Sequence, residues 1–565
     1  MFQDWRRHGW HYLAVIIVGT LLTLPHIGRT TLWDDDEALN AEAAREMYET
    51  GEWIVPTFNF RLRDAKPVLL YWCQIASYHA FGVNEFAARF PSAIAYILAG
   101  LFTYELGRRM FSPIAGLLGA IILQSTSVIV WLGGFASHDA LLLACTTLTF
   151  LVFWIGYAPV EANGPPRTAW MVPCGIVCGF GMLAKGPIGI VLPATVIGAF
   201  LIWQRQAKLL WSRRLILGLA AFFLVVAPWY TLVSVATRGA FARGFFVTNN
   251  IQRLHTPMEF HGGSVFYHPV AMFLGFVPWS IFLLPILCSM WSRWRSTSEA
   301  VSPSRSAPRL LLCWIASYLL FFTVVATKLP HYTAPLYPAM ALILGRFLWT
   351  WCERRSNVPR WAFVGSFAIL AVVGIAMSAG LIWLSRSANP PGELHEIARW
   401  CWIGVPPFVF SIVAMIGVAK EYRRVVLAGF LACHLFDLTV IGQGIMPALD
   451  RLKPASDLVL SAKTRQPSAD IRLATFQYTG PSLVFYSQRE VRQLHSLNEA
   501  AEFLNGPLPA YLFLSEQNWR QVEAKLSVGT ATIVAQKYDP FRQLEVVVVS
   551  NRPGANEMLA RGRND

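Results

Sequence analysis

The first seventy residues hold a dense acidic cluster followed by a basic one. Four acids stand at 34–37, and Arg63 and Lys66 follow in a polar stretch. A carboxylate such as Asp36 or Glu37 can take a proton from an attacking hydroxyl. A lysine can stabilise a leaving phosphate as a compact point charge. These residue types together suit group transfer from a phosphate-bearing substrate.

Charged residues of the same kinds recur at the ends of later apolar stretches. Asp139 begins one apolar run, while Lys185 and Lys328 end two others. A single charge at such a place is usually a helix cap or a lysine that reaches the interface. Their repetition favours a binding site instead. The further candidates for binding a phosphate or sugar are Arg89, Arg253, His331 and Tyr332.

The composition is typical of a polytopic α-helical membrane protein. Of the 565 residues, 55% are hydrophobic and 14% are charged, and the mean hydropathy is +0.44. Apolar segments of about 17–25 residues can each cross a bilayer. The thirteen candidates are 11–29, 90–107, 113–131, 139–158, 169–184, 187–203, 214–236, 265–290, 309–327, 332–351, 361–384, 400–419 and 424–446.

The gaps between these segments predict the orientation of the chain. Arg6 and Arg7 precede the first segment, and Lys and Arg concentrate in alternate gaps after it. The positive-inside rule therefore places the N-terminus in the cytoplasm and the candidate site residues on the opposite face of the membrane. In a bacterial inner membrane this is the periplasmic face. The same distribution accounts for the net charge of +14, so we do not expect nucleic-acid binding. The nine cysteines show no metal-ligand spacing, and no cofactor or metal is predicted.

Several elements outside the membrane should position the site. Residues 36–50 read as a short helix begun by Asp36, and 68–82 and 240–251 as amphipathic helices at the interface. The chain then divides into a membrane domain, 1–446, whose first periplasmic loop (30–89) is catalytic, and a periplasmic α/β domain, 447–565. Four apolar runs predict strands in that domain: IRLATFQ, SLVFYS, AYLFLS and LEVVVVS.

A series of motifs in the first 350 residues carries a family resemblance. DDDEALNAEAAREM, AKPVLLYW, FAARFPSA, SHDALLLA, LAKGPIGIVLP and KLPHYTAPLYPA occur in this order. They resemble the polyprenyl-phosphate-dependent glycosyltransferases of the C-type (GT-C) membrane fold. Within that fold they are most similar to the lipid A aminoarabinose transferases and the bacterial protein mannosyltransferase-like group.

The resemblance implies roles for particular residues. Asp36 matches the acid proposed as catalytic base, with Glu37 beside it, and Asp139 matches the second acid. Lys66 matches the lysine that faces the donor phosphate, and Tyr332 a tyrosine near it. The implied activity is an inverting transfer of a sugar from a polyprenyl (undecaprenyl) phosphate to a lipid, glycan or protein acceptor, with lipid A-type modification favoured.

Two departures from the aminoarabinose transferase pattern leave the sugar open among aminoarabinose, mannose and galacturonic acid. Leu39 stands where those enzymes carry Arg, and Ala65 where they carry Glu. Two other classes of function remain as alternatives. A transporter or flippase of a lipid-linked sugar would carry charges at the membrane midplane, and an assembly factor would use the C-terminal domain to recruit partners.

Overall fold

The computed structural model describes residues 2–34, 36–161, 168–257, 262–295, 306–356, 358–387, 395–461 and 470–551. The longer helices of the membrane part, in chain order, are α1 (Phe2–Thr23), α2 (Asp36–Thr50), α3 (Leu69–Phe81), α4 (Glu85–Met110), α5 (Pro113–Gln124), α6 (Ser127–Gly133), α7 (His138–Glu161), α8 (Met171–Lys185), α9 (Ile188–Trp203), α10 (Arg213–Ala236), α11 (Tyr267–Gly275), α12 (Leu283–Arg295), α13 (Ser306–Val324), α14 (Tyr337–Cys352), α15 (Arg360–Ser387), α16 (Val405–Ala419) and α17 (Arg423–Val440). Short helical turns join them at Thr168–Trp170, Ala207–Trp211, Ala240–Ala242, Arg253–His255, Trp279–Phe282, Pro330–Leu336, His395–Ala398, Cys401–Gly404 and Met446–Asp450. Two stretches are π-helical, Arg243–Gln252 and Ile441–Ile445.

Each predicted membrane segment coincides with a helix or a bent pair of helices. Eight helices in the described ranges are long and apolar enough to cross a membrane. Two bent pairs bring the number to ten: α5 with α6, bent by 70°, and α11 with the helix after it, bent by 104°. The helices in the segments 11–29, 187–203 and 332–351 are shorter or less apolar. The polytopic helical fold is therefore confirmed, while a count of thirteen spans stays a prediction.

Glycine lets α4 and α5 pack closely. A Cβ atom at Gly116 would lie 2.6 Å from the carbonyl oxygen of Tyr104. Small residues at helix contacts are typical of membrane bundles, because close van der Waals packing drives helix association there. This contact holds α4, which carries Arg89 at its other end, firmly in the bundle.

The first loop folds as a compact layer above the bundle. It contains α2, a two-stranded antiparallel hairpin of β1 (Thr57–Phe58) and β2 (Arg61–Leu62), and α3. The predicted helices 36–50 and 68–82 correspond to α2 and α3. The alanines of α2, which favour helix and allow close approach, are buried. The Tyr78 hydroxyl of α3 donates to the Ala41 carbonyl at 3.0 Å and joins the two helices.

The C-terminal part is an α/β unit. Its strands are β3 (Arg472–Phe476), β4 (Val491–Leu494), β5 (Ala510–Ser515), β6 (Thr532–Asp539) and β7 (Leu544–Ser550). They form one sheet in the order β4-β3-β5-β7-β6. Strand β3 is parallel to β4 and β5, and β7 is antiparallel to β5 and β6. The helices are α18 (Ala455–Ser461), α19 (Pro481–Ser487), α20 (Leu497–Asn505) and α21 (Glu516–Glu523).

One strand prediction in this unit is wrong. The run SLVFYS forms the helix α19 rather than a strand. Pro481 occupies its first turn, where a missing N–H costs nothing. The carboxylate of Asp34, from the first loop, accepts a hydrogen bond from the Ser482 N–H at 2.8 Å. A residue distant in the sequence therefore helps to cap this helix, and Pro481 is the local signal for its start.

The first loop and the C-terminal unit share one apolar core, which includes Ala41, Tyr71, Tyr486 and Phe513. Polar contacts reinforce the seam. The Tyr486 hydroxyl donates to Glu85 at 2.9 Å and accepts from the Leu32 N–H at 2.8 Å. Because the two parts pack together, the C-terminal unit lies within reach of the predicted catalytic loop.

Candidate active site

A cavity of about 390 Å³ lies where the first loop meets the ends of α7, α8 and α13. Its polar lining is formed by Lys66, Asp139, Lys185, Asn249, Asn250, Arg253 and Tyr332. Its apolar lining includes Leu142, Val191, Phe245, Phe246, Phe321 and Phe322. An anionic head group and an apolar chain can be held in one such space.

Asp36 begins α2, and its carboxylate faces two cations. Lys66 Nζ lies 3.2 Å from Asp36 Oδ2, and Arg63 Nη2 lies 3.8 Å from Oδ1. The Asp36 side chain is 43% exposed, whereas that of Lys66 is 17% exposed. The Lys66 ammonium, helped by Arg63, holds the pKa of Asp36 well below its usual range. Asp36 is therefore ionised at neutral pH and open to an incoming group.

Lys66 stands in a loop fixed by neighbouring side chains. His138 Nε2 lies 3.2 Å from the Pro67 carbonyl oxygen, so this nitrogen carries the proton. Burial opposes the charged form of Lys66, but the pKa of the ammonium is raised because Asp36, Tyr332 and Asp139 stabilise its charge. Lys66 is thus a fixed cation at the cavity wall.

Asp139 forms the second ion pair at the cavity. It lies in the first turn of α7, where its carboxylate makes an ion pair with Lys185 at the end of α8. His331 Nε2 lies 3.8 Å from the other carboxylate oxygen. Burial lowers the pKa of His331 to about 4, although Asp139 favours its charged form. At neutral pH this cluster therefore contains one lysine, one carboxylate and an uncharged imidazole.

Arg253 and Tyr332 close the polar end of the cavity. Arg253 Nη1 donates to the Tyr332 hydroxyl at 3.4 Å, and Lys185 Nζ lies 4.9 Å from the centre of the Tyr332 ring. Arg253 follows the π-helical stretch, in which the side chains of Asn249 and Asn250 donate to carbonyls five residues earlier. Such π-helical turns occur frequently at functional sites.

The polar end of the cavity brings three cationic side chains together, Lys66, Lys185 and Arg253. Each of them can bind an anion. Among the residues that the structure describes, no group of three or more His, Cys, Asp or Glu side chains could hold a metal ion. The arrangement can bind a phosphate at the cations while an ionised carboxylate stands beside it.

Comparisons with known proteins point to one fold. Residues 65–231 match the family model described as dolichyl-phosphate-mannose-protein mannosyltransferase. The chain is 28% identical over 440 residues to the undecaprenyl phosphate-alpha-4-amino-4-deoxy-L-arabinose arabinosyl transferase of Erwinia tasmaniensis, with 75% of each chain covered. It is also 28% identical to the Edwardsiella ictaluri enzyme of the same name, covering 78% of this chain and 77% of that enzyme.

A solved structure agrees over the whole chain. The crystal structure of ArnT from Cupriavidus metallidurans bound to undecaprenyl phosphate superposes with a TM-score of 0.81. The two chains are 22% identical, and 97% of this chain and 99% of ArnT are covered. The chain is a membrane glycosyltransferase with the C-type fold. The resemblance deduced from the motifs is confirmed.

Two predicted site residues of the glycosyltransferase form a buried pair outside the cavity lining. Arg89 Nε and Nη2 donate to the two carboxylate oxygens of Glu37 at 2.8 and 2.9 Å. Arg89 also donates to the carbonyls of Ile27, Thr30 and Thr31, and Glu37 accepts from the N–H groups of Trp33 and Ala136. This network ties the segment before Asp36 to α4 and to the turn before α7.

Lys328 of the glycosyltransferase also lies apart from the cavity lining. Its ammonium donates to the carbonyls of Phe322 and Thr323, at 3.2 and 2.6 Å. Both residues belong to the last turn of α13, whose terminal carbonyls have no partners within the helix. The contacts are those of a helix C-cap rather than of a phosphate ligand.

Arg63 was missed as a site residue from the sequence alone. It touches Asp36, and it also donates to the Tyr71 hydroxyl and the Asn40 side chain, both at 3.0 Å. Its position three residues before Lys66 in the basic cluster was the available signal. His138 was visible too, as the neighbour of Asp139, but only the fold brings it to Pro67.

Proposed function

We propose that this glycosyltransferase moves a sugar from undecaprenyl phosphate to a glycolipid of the lipid A type on the periplasmic face of the inner membrane. The observation that carries the proposal is the division of the cavity lining into a charged end and an apolar remainder. Lys66, Lys185 and Arg253 gather at one end of it, and phenylalanines and aliphatic side chains line the rest. A polyprenyl phosphate has this same division between a charged head and an apolar chain.

The orientation rests on charge and on the order of the elements. Lys and Arg concentrate in the gaps on the same side as the N-terminus, which the positive-inside rule assigns to the cytoplasm. The first loop, the cavity and the C-terminal unit lie on the other side. We assign residues 1–446 to the membrane domain and 447–565 to a periplasmic domain on this basis.

The donor phosphate is bound by Lys66, Lys185 and Arg253, with the Tyr332 hydroxyl as a further donor. A phosphate placed among them replaces the carboxylates as partner of the two lysines. During transfer the bond between the sugar's anomeric carbon and the phosphate oxygen breaks, and its electron pair stays on the phosphate. The surrounding cations stabilise the charge that develops there.

Asp36 receives the proton of the acceptor hydroxyl as that oxygen bonds to the anomeric carbon. In the resting pair with Lys66 its pKa is too low for a strong base. When the donor phosphate engages Lys66, the carboxylate loses part of this stabilisation, and its pKa rises. Donor binding therefore activates the base. Attack opposite the leaving phosphate gives inversion at the anomeric carbon.

Before the donor binds, Asp139 holds Lys185 in place; together with His331 it orders the wall beside the sugar. Glu37 and Arg89 position the Asp36 segment rather than touch the substrates. The methyl group of Ala65 lines the cavity near Lys66, so the sugar meets a small apolar surface at this point. A panel of donors is therefore needed to identify the sugar.

The purified chain in nanodiscs should be incubated with lipid A and undecaprenyl phosphates that carry radiolabelled aminoarabinose, mannose or galacturonic acid. We expect one donor to transfer its label to lipid A. Proteoliposomes prepared in parallel report movement of the labelled donor across the bilayer. Movement without transfer from any donor would contradict the proposal and favour the flippase.

A further inference from the structure

A second cavity, of about 510 Å³, lies between the first loop, α6 and the C-terminal unit. The first loop contributes Trp33 and Asp34, and α6 with the turn after it contributes Trp131 and Phe135. Phe541 enters from the connection between β6 and β7. The cavity thus joins the membrane part to the C-terminal unit, for which the sequence predicted no chemistry.

Aromatic rings form much of this second cavity. Trp131 and Phe135 stack with their ring centres 4.6 Å apart, and Trp33 meets Phe541 edge-on at 5.9 Å. Trp131 is 41% exposed and Phe541 54% exposed, so both present free ring surface. Large rigid rings of this kind offer flat contact area at low entropic cost, and they suit the C–H faces of a sugar ring.

The charged groups of the second cavity neutralise one another. Arg542 lies 3.3 Å from Asp34 and 3.8 Å from Asp539. Lys453 lies 2.9 Å from Asp450 and 3.8 Å from the centre of the Trp33 ring. Because carboxylates already lie beside its cations, this cavity does not favour a bare anion. Its carboxylate oxygens and N–H groups can instead bind hydroxyl groups.

The second cavity adjoins the reaction centre. The Trp131 ring lies 6.1 Å from the ring of His331, whose Nε2 is 3.8 Å from Asp139. Asp34 lines this cavity and stands two residues before Asp36. One short segment therefore links the two cavities, and a molecule in the second one can direct a hydroxyl towards Asp36.

We infer that the second cavity binds the carbohydrate part of the acceptor between the first loop and the C-terminal unit. The inference rests on the proposed function, because it names the place of the acceptor in that reaction. It also gives the C-terminal unit a role: Phe541 and Arg542 complete a sugar site that the membrane domain forms only in part.

Binding tests this inference without requiring turnover. The full chain in nanodiscs is titrated with the radiolabelled, fully deacylated glucosamine disaccharide bisphosphate of lipid A and, separately, with labelled undecaprenyl phosphate. Trp131→Ala and Phe541→Ala are compared with Trp211→Ala, which removes a ring that is 89% exposed on the connection between α9 and α10. The first two changes remove exposed rings, so the fold should tolerate them.

We expect Trp131→Ala and Phe541→Ala each to weaken disaccharide binding about five-fold and to leave undecaprenyl phosphate binding unchanged. Trp211→Ala should affect neither ligand. Unchanged disaccharide binding in both cavity variants would overturn the inference, as would competition by glycerol phosphate, which carries no sugar. A wild-type chain that binds undecaprenyl phosphate but no disaccharide would overturn the inference alone, whereas failure to bind either ligand would overturn the proposed function as well.

Discussion

Lys66 Nζ lies 3.2 Å from the carboxylate of Asp36, so the cation proposed to receive the donor phosphate also partners the proposed base. This pairing couples the two halves of the reaction. In the absence of donor it keeps Asp36 ionised and weakly basic. Once the phosphate competes for the ammonium, the carboxylate is freed for the acceptor.

The coupling predicts a change in the titration of Asp36. In Lys66→Met the pKa of Asp36 should rise towards its ordinary value of 3.8, because the largest stabilising charge is gone. The carboxyl is protonated below its pKa, so on acidification it should react with a water-soluble carbodiimide at higher pH in the variant than in the wild type. Peptide mass spectrometry measures the modification, with the exposed Glu523 as internal control. Identical profiles for Asp36 in both proteins would contradict the coupling.

Removing only Lys185 from its ion pair with Asp139 should cost more stability than removing the charges of both residues. Lys185→Met leaves a buried carboxylate without its lysine and should destabilise the fold by about 3 kcal/mol. Adding Asp139→Asn should restore most of this loss. Thermal unfolding in detergent measures both variants. The account fails on this point if the double variant is less stable than Lys185→Met.

Arg89 should affect folding rather than the chemical step. Arg89→Met leaves the buried Glu37 carboxylate without its cationic partner and should lower the free energy of unfolding by about 3–5 kcal/mol. The fraction that still folds should keep the donor affinity of the wild type, because Arg89 does not line the donor cavity. Thermal unfolding and undecaprenyl phosphate binding are measured together. A stable Arg89→Met protein with lost donor binding would instead make Arg89 a phosphate ligand, as the sequence suggested.

His331 gives a pH dependence whose sign follows from its environment. Burial lowers its pKa to about 4, compared with 6.5 in an unfolded chain. Between these values the unfolded chain binds the extra proton, so stability falls as the pH drops below 6.5. Protonation of His331 should lower the free energy of unfolding by about 2 kcal/mol between pH 6.5 and 5. His331→Gln should therefore lose less stability than the wild type over this range in a thermal shift assay; equal losses would show that His331 titrates normally.

Much of the architecture could be predicted from local patterns. The apolar segments, α2, α3 and three of the strands follow from periodicity and length. The π-helical stretch Arg243–Gln252 overlaps the helix predicted at 240–251. The helix α19 could not be found in this way, because Asp34, far away in the sequence, caps it. The short apolar run SLVFYS alone suggested a strand.

The sequence predicted some contacts of the site but not others. The sequence placed Asp36 and Lys66 on one face of the membrane, and the structure brings them into contact. It favoured Asp36 as the base but kept Glu37 as a second catalytic candidate, although successive helical residues point about 100° apart. The start of α2 turns Glu37 inward to Arg89 and leaves Asp36 beside Lys66, which lines the cavity. Lys328 shared the basic character of Lys66, but the end of α13 uses its ammonium as a cap.

The most direct measurement of the central claim is the turnover of Asp36→Asn beside its affinity for undecaprenyl phosphate. Asn keeps the size of the side chain but cannot accept the proton, so we expect kcat to fall at least about 100-fold. Donor binding should persist, because the amide leaves Lys66 free for the phosphate. Turnover near that of the wild type, in a variant that binds the donor normally, would contradict the account.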